Sequence, residues 1–179
     1  MRSIADQSQK PSQFLLVLAC LFTIFFAGWG TTRWILSIQF DRGCEGYLKR
    51  AADANTVELA KDNLRIAIDY TERHNLTSGY TSIVYNTPDE DVAYWHQNLI
   101  ASLRELESVR PDATLLERSN LLIKLRETLL DNARNGVTVT YPDGISVYSH
   151  NRLFSSWAIL SGLLAFLCLL PSIKMLLDD

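Results

Sequence analysis

Two long apolar runs bracket a polar middle, and that arrangement decides most of what this chain can become. FLLVLACLFTIFFAGWGTTRWIL covers residues 14–36, with Arg33 as its one charge. LFSSWAILSGLLAFLCLLPSIKMLL covers residues 153–177, with Lys174 near its end. A bilayer core is crossed by ~20 mostly apolar residues in a helix, and each run supplies them. Trp29 and Trp34 in the first run and Trp157 in the second stand on the sides facing the middle of the chain. An interfacial aromatic belt falls at such positions. The reading is two transmembrane helices with both termini on one side of the bilayer. The rival reading of the first run is a cleavable signal, with Arg2 and Lys10 as its charged region and Gly28-Trp29-Gly30 as the cleavage site. A tryptophan inside that site, and apolar character continuing through Leu36, favour a retained anchor.

Charge orients the spans less clearly. Arg2, Lys10 and Lys174 lie at the termini, against Arg33, Arg42, Lys49, Arg50 and Arg152 on the side of the central segment. The count alone puts that segment in the cytoplasm. A long segment is translocated largely regardless of its charges, however, and the first run has the form of a signal anchor. The expectation is an integral protein of the cell (inner) membrane with its central domain extracytoplasmic. The 179 residues carry a net charge of −3, which gives no footprint for a nucleic-acid partner. Cys20 and Cys168 lie in the apolar runs, so Cys44 is the one cysteine of the central part and no internal disulfide framework is expected.

The segment 37–152 is long enough for a small helical core. Residues 1–13 are read as a tail. The stretch NTPDEDVAYW, residues 86–95, has the look of a site but also the chemistry of a helix start. Thr87 as N-cap, Pro88 at the first position and Glu90 three residues after the cap make a capping box. Acids in a first turn suit the positive end of the helix dipole. Val92, Trp95, Leu99, Leu103 and Leu106 then mark one helical face. The spacing of a calcium loop is missing, so no metal is assigned to these acids. A helix is expected at about 88–108. A second capping box, Thr114 with Glu117, opens a helix at about 113–134, with Leu115, Leu122, Leu125 and Leu129 on one face and Leu116, Ile123 and Leu130 beside it. Asn135-Gly136 would end it in a left-handed C-cap. The first helix of the segment is expected at about 44–73, with Asn55 and Glu58 as a possible fresh start inside it.

After Gly136 the pattern alternates, and VTVTYPDGISVY contains the turn signal Pro142-Asp143-Gly144. Residues 137–149 are therefore either a β-hairpin or one extended segment descending to the second span. The descending form suits the distance: a helix of about 20 residues is ~30 Å long, and thirteen extended residues cover ~43 Å. The fold class is thus mainly α, with two transmembrane helices flanking a small helical-bundle domain and a short extended or hairpin segment before the second span.

Chemistry is sparse. His74, His96 and His150 have no metal-ligand spacing to one another or to a cysteine, and His96 is placed off the apolar face, in solvent. No nucleophile elbow or phosphate-binding glycine loop is present. No catalytic residue, metal or cofactor is assigned. Two features read as recognition instead. NLTSGYTSIVYN, residues 75–86, exceeds the usual helix–helix connection and carries Tyr80, Ile83, Val84 and Tyr85. These either fold back over the core or meet a partner. The small residues Ala19, Thr23 and Ala27 in the first span, and Ala158, Ser161, Gly162 and Ala165 in the second, let helix backbones approach closely. They would pack the spans on each other or on a partner subunit.

The layout resembles the sensory half of bacterial receptors, where two spans flank a helical bundle. It differs in having two residues after Leu177, so a signal would pass through a partner. The expected function is a non-enzymatic accessory or scaffold subunit of a membrane complex. The expected partners are the lipid bilayer and either another membrane protein or further copies of this chain, with no nucleic acid. The alternative is a two-span ligand-binding sensor signalling through a partner.

Overall fold

The computed structural model describes residues 5–133 and 136–177, and the side chains of 13–132 and 136–174. The chain is mainly helical and divides into two compact units, Leu36–Asn151 and the two apolar helical segments on either side of it. Helix α1 spans Ala5–Phe40 and runs through a π-helical turn, Asp41–Glu45, into α2, Gly46–Ala52. Helix α3 spans Val57–Arg73, α4 Val92–Glu107 and α5 Leu115–Leu129. Strands β1, Leu130–Ala133, and β2, Gly136–Val139, follow, and α6 spans Asn151–Leu177. The runs Gln13–Ala52 and Asn151–Lys174 are long and apolar enough to cross a membrane, and few residues of their apolar windows are buried.

The core of the central unit is built where small residues let helices close. Cys44, Ala51 and Ala52 on one side and Ala60 and Ala67 on α3 are buried together with Leu48, Leu64 and Ile68. The buried positions of α3 recur at three and four, from Val57 through Ala60, Leu64 and Ala67 to Thr71. Gly43, in the π turn, lies against the Tyr70 ring, and a Cβ there would collide with it. Phe40 packs edge-on to both Tyr70 and Tyr141, with ring centroids 6.1 and 5.1 Å apart. From α4 come Val92, Trp95, Leu99 and Leu106; from α5 only Leu125 and Leu129 are fully buried. Leu115, Leu116 and Ile123 are exposed, so the apolar face expected of α5 packs only toward its C-terminal end.

Several boundaries differ from those read in the sequence. The helix expected at 44–73 is interrupted: Asp53 ends α2, and Thr56 caps α3 by accepting from the Leu59 amide at 3.2 Å. The restart is one residue beyond Asn55. At 88–108, Pro88–Glu90 form a 3-10 turn, and the cap of α4 is Asp91, whose Oδ1 accepts from the Tyr94 amide at 3.1 Å. Thr87 donates its hydroxyl to Glu90 Oε2 at 2.6 Å instead of capping the helix. The box at Thr114 is complete: its Oγ1 accepts from the Glu117 amide while its own amide donates to Glu117 Oε2 at 2.7 Å.

The largest departure is at the end of α5. The helix expected to reach 134 stops at Leu129, because Leu130 turns extended and the next residues pair with β2. The antiparallel register sets Leu130 opposite Val139 and Asp131 opposite Thr138. The C-cap proposed at Asn135 lies outside the described residues; Gly136 has φ 126° and opens β2. The hairpin is therefore at 130–139, not around Pro142-Asp143-Gly144. That tripeptide makes a tight turn with Gly144 left-handed at φ 74°, followed by a 3-10 turn over Ile145–Val147. Ile145 and Val147 are buried, so 137–149 is not a single extended descent.

Candidate functional site

The connection after α3 begins by closing the helix. Leu76 donates its amide to Thr71 O at 2.8 Å across Asn75, which takes φ 56°, and its side chain is buried. Thr81 is buried as well. The chain is then held at two points: Thr81 N donates to Glu90 O at 3.0 Å and Val92 N to Gly79 O at 2.9 Å, forming a bridge between Tyr80 and Asp91. Tyr148 donates its hydroxyl to Ser78 O, and a Cβ on Gly79 would strike the Tyr148 hydroxyl. Beyond the bridge the apolar side chains are not folded back. Tyr80 is 41% exposed, Ile83 45%, Val84 76% and Tyr85 78%. The fold buries Leu76 and Thr81 from this stretch and presents the other four to the outside.

A second feature was not visible in the sequence. A cleft of about 360 Å³ opens within the central unit, between the start of α4, the end of α5 with β1, and the segment after β2. Trp95, Leu99, Leu129 and Pro142 are its buried wall residues. Trp95 is fixed there by donating Nε1–H to Thr140 O at 3.0 Å. Tyr141 lines the cleft and donates its hydroxyl to Glu45 Oε2 at 3.1 Å. Burial, and then the negative charge of Glu45, push this phenol up to about 12, so it stays protonated at neutral pH. Asp89, Asp91 and Asp131 supply carboxylates to the lining, and among the described residues it contains no lysine, arginine or histidine. The residues come from three separate stretches, and the only sequence signal was the crowding of acids beside Tyr94 and Trp95 in NTPDEDVAYW.

The histidines lie apart. His74 stacks on Tyr70 with centroids 3.9 Å apart, and its Nδ1 lies 2.9 Å from Tyr70 O. His150 is exposed. His96 corrects the expectation of a solvated ring: it is 7% exposed on the inner face of α4, and its Nε2 has no hydrogen-bond partner among the described residues. Among the described residues no group of three or more His, Cys, Asp or Glu side chains could hold a metal ion.

In the apolar helices, Ala19 and Ser161 are buried and Ala158, Gly162 and Ala165 half-buried. Thr23 and Ala27 are exposed, so they take no part in the packing of α1 on α6. Rings make it instead: Trp157 donates Nε1–H to Phe25 O at 3.0 Å, and Phe26 lies 3.4 Å from where a Cβ on Gly162 would stand.

No family model matches the chain, and neither does any curated protein or solved structure. What fold and sites together define is a class by architecture: a helical unit between two helices long and apolar enough to cross a membrane.

Proposed function

We propose that this chain is a non-enzymatic integral membrane protein acting as an accessory or scaffold subunit of a membrane complex. In this reading α1 and α6 span the cell (inner) membrane, and the central helical unit meets the partner on the extracytoplasmic side. The observation that carries it is the exposed cluster Tyr80, Ile83, Val84 and Tyr85, on a loop whose ends are tied down at Tyr80–Asp91. Aromatic side chains on a held loop suit protein contact, because little freedom is left to lose on binding. The outward Thr23 and Ala27 of α1 add a small-residue surface for a second membrane helix. The test is Tyr80→Ala combined with Tyr85→Ala. Association with the partner should weaken while the helical signal in circular dichroism is kept; unchanged association removes the loop from the account.

A second reading, a two-span ligand-binding sensor signalling through a partner, draws support from the cleft beside Trp95. A thermal-shift screen of small polar and charged metabolites tests it. A compound that raises the melting temperature saturably supports the sensor, and a screen without any stabiliser counts against it.

A further inference from the structure

The cleft beside Trp95 has a one-sided chemistry. Its buried wall is apolar and aromatic, and its polar lining holds Asp89, Asp91 and Asp131, with no cationic side chain among the described residues that line it. Asp91 spends one oxygen on the Tyr94 amide and Asp131 one on the Asn132 amide, at 3.1 and 2.7 Å. Each carboxylate has two oxygens and several acceptor positions, so both retain acceptor capacity toward the cleft. Tyr94, Trp95 and Tyr141 bring three aromatic rings to the same space. Aromatic faces attract cations that have little hydration to lose, which favours substituted ammonium groups over metal ions. At about 360 Å³ the cleft is at the small end of the range for small-molecule sites. An anion would meet three like charges here, and a neutral apolar body would leave the carboxylates unused.

From this complementarity we propose that the cleft is a binding site for a small organic cation, a substituted ammonium joined to an apolar body. The body rests on Trp95, Leu99 and Leu129, and the charged end lies among Asp89, Asp91 and Asp131. The proposal rests on the cleft and is independent of the partner-binding loop; it gives the sensor reading a ligand class.

The test is titration calorimetry of the full chain in maltoside detergent with benzyltrimethylammonium, beside benzyl alcohol as an uncharged ring of similar kind. The cation should bind saturably and benzyl alcohol should not. Asp89→Asn with Asp131→Asn should weaken the cation about tenfold or more, the loss expected of two screened charges near a surface. Asn keeps the side-chain size, and Asp89→Asn alone serves as the readout if the pair loses its fold. Tyr80→Ala with Tyr85→Ala should leave the titration unchanged, which separates this site from the loop. The proposal is overturned by no saturable heat into the millimolar range, by equal binding of benzyl alcohol, by indifference to the Asp substitutions, or by loss of binding in the loop variant.

Discussion

His96 shows what a single residue reveals about this core. Burial holds its ring below the ordinary histidine range, against the opposing pull of Glu72. The fold accepts the neutral ring, so as pH falls the unfolded chain takes up the proton first. Its share of stability is therefore whole above the unfolded value of about 6.5 and is lost as pH drops toward the folded one. His96→Leu should flatten the decline of melting temperature between about pH 7 and pH 5, and removing a buried nitrogen that has no partner among the described residues offsets much of the cost of the change. Melting curves across that range decide it: a decline as steep as in the parent chain contradicts the assignment. Gly43 makes the opposite point, since the sequence gives no reason for a glycine there. The Tyr70 ring occupies the space of its Cβ and is itself held between Phe40 and His74. Gly43→Ala should cost about 1–3 kcal/mol by overpacking, read from chemical denaturation of the detergent-solubilised chain. A neutral result would mean the ring can move aside.

At the level of elements, what could be read in advance was what is local. The apolar runs, the face of α4 and the box at Thr114 are each set by residues within one or two turns of each other. The break at Asp53–Thr56 apart, the departures within the central unit involve distant partners. Leu129-Leu130 continues the leucine spacing of α5, and only pairing with residues 136–139 pulls Leu130 out of the helix. Asp91 replaces Thr87 as the cap because the bridge from Tyr80 fixes the chain one turn later than the capping pattern predicts. The cleft gathers residues 88–99, 128–131 and 140–142, whose juxtaposition no spacing rule could give. Helix α5 carries a prediction of its own. Its first turns have Leu115 and Leu116 exposed, leaving the Thr114–Glu117 box as their main restraint. Thr114→Ala should speed amide hydrogen exchange over residues 115–119 and leave α4 unchanged. Equal rates in both chains would show that packing, not the cap, holds that end. The salt bridges Arg126–Asp53, Lys124–Glu105 and Arg65–Glu107 join helices at 2.6–2.8 Å, but they are about half exposed and worth only ~0–1 kcal/mol each.

At the scale of the whole molecule, a helical unit lies in the chain between two helices long and apolar enough to cross a membrane, and we propose that its held, apolar loop meets a partner. Integral insertion predicts that the chain stays with the membrane pellet through alkaline carbonate extraction; release into the supernatant would return α1 and α6 to some other cover for their apolar surface. Partner binding is tested most directly by affinity purification of the tagged chain from its own membranes in mild detergent, with mass spectrometry of the co-purifying protein and the Tyr80→Ala, Tyr85→Ala chain run in parallel. A stoichiometric membrane-protein partner that is depleted from the double variant is expected. Recovery of copies of this chain alone would contradict it and turn attention to the sensor reading and the cleft.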